Sequence, residues 1–131
     1  MNQATQPVAK PNEPSQATPI FTKAYDFLAW VVPLTDDFPR MQRHTVTKRL
    51  LDAVLNFLER LVDANNRRGH QRLTFLQAAD AELDKVRFYL RLAHHWHWMN
   101  DSKYQHASTL IAELGRLLGG WHRLTRQQAA G

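Results

Sequence analysis

The sequence predicts an all-α fold, an up-down-up-down four-helix bundle, and three observations carry that prediction. Four stretches repeat apolar residues three and four positions apart, the spacing of helices that rest one face on a core. The breaks between them are short and polar, which makes neighbouring helices antiparallel. No strand alternation, hairpin dipeptide or internal repeat competes with the helical pattern.

At 131 residues the chain suits one domain with a core of its own. Residues Met1 to about Thr18 hold little besides Gln, Pro, Ala, Thr, Ser and Asn, with Pro7, Pro11, Pro14 and Pro19 spaced to interrupt a helix. Such a composition has too little apolar surface to offset the entropy of ordering. Residues 1–18 are therefore expected to be a disordered tail, and 19–131 the bundle domain.

From Ile20, the residues Phe21, Tyr25, Phe27, Leu28, Val31 and Val32 outline a first helix that ends or kinks at Pro33. Asp36 and Asp37 then set carboxylates at the positive end of a second helix, with Pro39 in its first turn. That helix runs to about Asn65 and turns Val46, Leu50, Leu51, Val54, Leu55, Leu58, Leu61 and Val62 inward. Asn65 to His70, polar and containing a glycine, is a loop.

The third helix buries Leu76, Ala79, Leu83, Val86, Leu90 and Ala93. Phe88, Tyr89, Leu92 and Trp96 widen its apolar surface, as a face shared between chains would. After a break at Met99 to Ser102, the pair Ser102 and Gln105 has the spacing of a capping box for the last helix. There Ala107, Leu110, Ile111, Leu114, Leu117, Leu118, Trp121 and Leu124 form one broad apolar face.

A second strip of the last helix, Ser108, Ala112, Gly115 and Gly119, is small throughout. A glycine inside a helix costs about 1 kcal/mol against alanine, so Gly115 and Gly119 are expected to mark close packing of a neighbouring helix or a second subunit. Gly119 and Gly120 could instead cap a helix end. The apolar phase kept by Trp121 and Leu124 argues for continuation.

Several function classes fall away. With no cysteine there is no disulfide framework, thiol catalysis or cysteine-bound zinc. No apolar run would span a bilayer and the N-terminus lacks a signal-peptide core, so a soluble cytoplasmic protein with no membrane partner is expected. Nucleophile elbow, phosphate loop, HExxH and dinucleotide fingerprint are all missing, which argues against an enzyme and against a cofactor. His94 and His97, within the run His94 to Trp98, are zinc or nickel ligands by type, but nothing in the sequence fixes a third and fourth ligand, so no metal site is assigned.

The charge points elsewhere. The formal net charge is +5 and the pI about 10, with arginine well ahead of lysine, and the forked guanidinium matches phosphate. In an antiparallel bundle Arg67, Arg68 and Arg72 share an end with Arg123 and Arg126, and the first three lack acidic neighbours, so that end is expected to be strongly basic. Arg40 and Arg43 lie at the other end among Asp36, Asp37 and Asp101, which is mixed in sign. A nucleic-acid partner fits this distribution.

Three segments carry a family resemblance: F-P-R-M-Q-R from Phe38, A-A-D-A-E-L-D-K-V-R-F-Y-L-R-L-A-H from Ala78, and Y-Q-H-A-S-T-L-I-A-E-L-G-R-L-L-G-G-W from Tyr104. In this order they resemble the accessory variability determinant (Avd) proteins of diversity-generating retroelements over about Trp30 to Arg126. The chain is also similar, more distantly, to four-helix proteins encoded by intervening sequences of bacterial 23S ribosomal RNA genes. The resemblance implies a four-helix bundle assembling into a pentameric barrel. It implies a non-enzymatic accessory role, binding the element's reverse transcriptase together with RNA or DNA in support of mutagenic retrohoming.

Carried onto this chain, the implied basic surface comprises Arg40, Arg43, Arg87, Arg91, Arg116 and Arg123. The proline-rich leader and the His94 to Trp98 run depart from the family pattern. The alternative reading is a small helical oligomeric scaffold that binds protein partners only.

Overall fold

The computed structural model describes residues 14–130, with side chains from Thr18 onward. These residues form four α-helices: α1 (Pro14–Leu34), α2 (Val46–Asn65), α3 (Gly69–His95) and α4 (Asp101–Ala130). Two single turns of 3-10 helix, Thr35–Asp37 and Arg40–Gln42, bridge α1 to α2. The expected all-α bundle is what the described residues build, with α2 packed most extensively on α3, then α3 on α4, α1 on α4, and α1 least on α2. Cross-helix contacts give the antiparallel register. Phe21 near the start of α1 meets Trp121 near the end of α4 at 6.4 Å between ring centroids, and Trp30 meets His106 at 4.9 Å.

All six core positions expected in α3 are buried: Leu76, Ala79, Leu83, Val86, Leu90 and Ala93. In α4 the core stripe is Ala107, Ile111, Leu114, Leu118 and Trp121, while Leu110, Leu117 and Leu124 are half-buried beside it. The helix runs through Gly119 and Gly120 without a break, as the apolar phase required.

α1 and α2 correct the expectations. In α2 the buried stripe is Thr47, Leu50, Ala53, Val54, Phe57, Leu61 and Ala64, and Leu55 and Val62, expected inside, are 43% and 46% exposed. In α1 the buried residues are Ile20, Ala24, Phe27, Val31 and Leu34, while Tyr25 and Val32 face out. Each helix has more apolar residues than one core contact can cover, so a second stripe lies on the outside.

Helix boundaries moved as well. α1 begins at Pro14 and carries Pro19 and Pro33 inside it; each proline removes one backbone donor, yet the helix persists across both and stops one residue past Pro33. Residues 1–13, most of the expected tail, lie outside the described residues. Pro39 does not start α2. It precedes the second 3-10 turn with an extended ψ of 133°, and α2 begins only at Val46.

At the head of α4 the cap is Asn100, whose Oδ1 accepts the Lys103 amide at 2.8 Å, and not the expected Ser102. The His94 to Trp98 run ends α3. The Trp98 amide donates to the Ala93 carbonyl at 2.8 Å and the His97 amide to that of His94 at 3.0 Å, with His97 in the left-handed region at φ 63°. This is the Schellman arrangement, whose left-handed position is usually glycine.

Candidate nucleic-acid interface

The ten arginines expected to face a partner fall into three places. At the α2–α3 end, Arg67 and Arg72 are not bare guanidinium groups as the spacing suggested. Arg72 Nε donates to the Ala64 carbonyl at 3.0 Å, and its guanidinium lies 5.5 Å over the Trp121 ring. Arg67 Nη1 donates to the Asp63 carbonyl at 3.0 Å, approaches the Asp63 carboxylate at 3.7 Å and covers the Phe75 ring at 4.5 Å. Each adds a second donor to a carbonyl of the last turn of α2 that already accepts a backbone amide, Ala64 from Arg67 and Asp63 from Asn66. Arg68, Arg123 and Arg126 remain exposed and unpaired among the described residues.

The second place is the outer surface of α3 and α4, with the seam between them. Arg116 is held by both Glu113 oxygens, at 3.0 and 2.7 Å. The hydrogen bond from Arg116 holds the Glu113 carboxyl below its ordinary pKa, and Glu113 raises that of Arg116 in return. Arg87 bonds Asp84 at 2.7 Å, whereas Arg91, one turn on, has no ionic partner among the described residues.

Two hollows lie along this seam. The larger, of about 450 Å³, is bordered by Arg87, Phe88, Arg91 and Tyr104 and floored by Ser108 and Ala112. The smaller, of about 250 Å³, is floored by Gly115 and Gly119. The small strip of α4 thus lines a groove, and at its glycines the side chains that come near among the described residues are Arg87 and Leu83 of α3, both at Gly115. A Cβ at Gly115 would stand 2.8 Å from Arg87 Nη2, while one at Gly119 would meet nothing within 4 Å.

The groove combines an aromatic face with cations. Phe88 is 58% exposed and packs edge-on to Tyr89 at 5.7 Å. At its end, Tyr104 stacks on His94 at 4.2 Å with an interplanar angle of 6°, and His94 Nε2 lies 2.7 Å from Asp101 Oδ1. An exposed ring beside unpaired guanidinium is the arrangement that holds a single strand, by stacking and by phosphate contact together.

The third place is the α1–α2 connector, where Arg40 and Arg43 border a separate cavity with Asp36 and Thr47.

Residues 20–125 match the family described as bAvd-like. The chain belongs to that family. The fold of this bAvd-like chain is also that of a solved protein of unknown function from the S23 ribosomal protein family of Bacteroides thetaiotaomicron, at TM-score 0.75 and 15% identity, over 82% of this chain and 98% of that one. No curated protein matches the chain.

Among the described residues of this bAvd-like chain, no three His, Asp or Glu side chains group as a metal site would need, and no helix is long and apolar enough to cross a membrane. The sequence pattern assigns Phe88 to a surface shared between chains and does not single out Tyr104 or Thr47. Thr47 left a signal, being the one polar residue on the 47, 50, 54, 57, 61, 64 stripe of α2.

Proposed function

We propose that this bAvd-like chain is a non-enzymatic accessory protein of a diversity-generating retroelement, which binds the element's reverse transcriptase and its template-repeat RNA or cDNA to support mutagenic retrohoming. The observation that carries the nucleic-acid part is the α3–α4 groove, where exposed Phe88 stands between Arg87 and Arg91. Stacking serves any base and guanidinium serves any phosphate, so the groove suits a strand whose sequence is not read. Arg68, Arg123 and Arg126 add unpaired positive charge at the other end of the bundle and would widen the field that draws a polyanion.

The test is fluorescence anisotropy of single-stranded RNA titrated with the protein across a salt series. Phe88→Ala is expected to weaken binding about tenfold without changing the salt slope, because stacking is worth roughly 1–3 kcal/mol per base. Arg91→Ala is expected to reduce the slope by about 0.7, one phosphate contact on a single strand. Equal affinity and slope in both variants would remove the groove from the reading. Co-purification of the neighbouring reverse transcriptase tests the protein partner.

Copies of the chain are proposed to associate, as a pentamer, through the outer stripes of α1 and α2. Tyr25 at 63% and Val32 at 43% exposure, with Leu55 and Val62, support this, since a lone chain leaves them in water. Leu55→Glu with Val62→Glu should then yield a folded monomer by light scattering; an unchanged mass would refute this choice of face. The protein-only scaffold draws on the same stripes, and it predicts no RNA affinity at any salt concentration.

A further inference from the structure

From Lys85 to Asn100 the chain has no acidic residue, while three basic residues and three histidines alternate with Phe88, Tyr89, Trp96 and Trp98. The acids at either end of this span are both engaged, Asp84 with Arg87 and Asp101 with His94, each at 2.7 Å. Basic side chains interleaved with rings suit a single strand of nucleic acid, whose bases are free to stack. At about 3.6 residues per turn, Phe88, Arg91 and His95 fall on one outward row of α3, and all three are exposed.

Trp96 extends that row past the end of the helix. Its ring lies 6.5 Å from that of His95 and the residue is 47% exposed, yet the turn that carries it is fixed. The Trp96 amide donates to the Leu92 carbonyl at 2.9 Å. The indole leans on Trp98 at 5.2 Å, and Trp98 in turn packs on Phe38 of the α1–α2 connector at 5.5 Å. A ring presented in this way costs a partner little ordering entropy.

The charges decide between occupants. A second copy of the chain seated on this row would seal off Arg91, which has no ionic partner among the described residues, and burying an uncompensated guanidinium is unfavourable. A nucleotide covers the ring with its base and brings a phosphate to the guanidinium.

We propose that Trp96 is a second base-stacking position, reached by a single strand that leaves the α3–α4 groove along the outer row of α3. Arg91 and His95 meet the phosphates on the way, the imidazole donating an N–H in either protonation state. Phe88 and Trp96 are eight residues apart, about 12 Å along the helix at a rise of about 1.5 Å per residue. Stacked bases rise about 3.4 Å each, so the two rings serve bases three or four nucleotides apart. The inference rests on the groove reading for the class of ligand, and adds to it a path and a minimum length.

The experiment measures binding of the full-length protein to fluorescein-labelled oligoadenylates of three and ten nucleotides by anisotropy. The ten-mer reaches both rings and the three-mer only one. Trp96→Ala is expected to weaken the ten-mer about tenfold, the loss of one stacked base, and the three-mer about twofold or less, because the Phe88 end still takes it. Trp96→Phe should keep most of the ten-mer affinity, since a ring remains, while losing most of the quenching of indole emission that the ten-mer causes in the parent.

Ten-mer affinity unchanged in Trp96→Ala but reduced in Phe88→Ala overturns the second position and leaves the groove standing. The same unchanged affinity with a smaller mass by light scattering assigns Trp96 to a contact between copies instead. Equal losses for both lengths also overturn the proposal, because the indole would then act through the fold. A ten-mer weakened by Trp96→Ala and untouched by Phe88→Ala sinks the groove reading and leaves Trp96 as a stacking position; a parent that binds neither length sinks both.

Discussion

Replacing each groove glycine by alanine separates what the backbone gains from what a neighbouring side chain loses. Both Gly115 and Gly119 lie inside α4, so each alanine gains about 1 kcal/mol of helix propensity. At Gly119 the added methyl meets nothing within 4 Å, and the full gain should appear as a rise in melting temperature of about 4 °C for a domain of this size. At Gly115 the methyl would stand 2.8 Å from Arg87 Nη2, so the guanidinium must move. Its bond to Asp84 joins side chains 43% and 67% exposed, and exposed pairs contribute roughly 0–1 kcal/mol. Gly115→Ala should therefore be stabilising by less than Gly119→Ala, or neutral, and adding Arg87→Ala to each should make the two alanines equivalent. Thermal unfolding followed by circular dichroism at several protein concentrations reads all four variants. A lower midpoint in Gly119→Ala, or a gap that survives Arg87→Ala, would refute the reasoning, because something other than Arg87 would then lie against the strip.

Three further substitutions have signs fixed by the structure. His97→Gly removes the cost of a left-handed backbone at φ 63°, roughly 1–2 kcal/mol, against a smaller entropy gain of the unfolded chain; chemical denaturation should show a net stabilisation of about 0.5 kcal/mol or more. Arg72→Ala removes one of two hydrogen bonds to the Ala64 carbonyl and uncovers Trp121, and should destabilise by about 0.5–1.5 kcal/mol, with a change in tryptophan emission. Glu113 has its folded-state pKa lowered chiefly by the Arg116 hydrogen bond. Its contribution is therefore present above the ordinary carboxylate range and lost as pH falls through the lowered value. Glu113→Gln should accordingly be slightly less stable than the parent at pH 7, and the difference should close as pH falls below the ordinary carboxylate range; a difference that widens in acid would reverse the sign.

The fold was legible where one stripe serves one helix. α3 has six apolar positions at three-four spacing and all six are buried. α1 and α2 have two stripes each, and periodicity alone does not say which one a single chain covers: Tyr25 and Val32, part of the apolar pattern of α1, lie outward, as do Leu55 and Val62, expected inward. Ser102 and Asn100 are equally good caps by type, and the choice depends on where the chain turns after Met99. The arginines show the limit most clearly. Spacing identifies Arg87 with Asp84 and Arg116 with Glu113, three residues apart on one helix. It is blind to Arg72, whose partner is a backbone carbonyl eight positions back across a loop. Thr47 was visible only as a polar residue out of place on an apolar stripe, and the missing partner of its buried hydroxyl is a property of the packed fold.

The unequal packing of α1 sets an order for folding. The first helix leans more on the last than on its neighbour α2, through Phe21 with Trp121 and Trp30 with His106. The α2–α3–α4 meander can close through short loops, while α1 must wait for a contact that spans nearly the whole domain, the slowest kind to form. During synthesis the ribosome delivers α1 first and its chief partner last. Until α4 emerges, Ile20, Phe27 and Val31 have no completed core to enter, and for that interval α1 is the segment most in need of a chaperone.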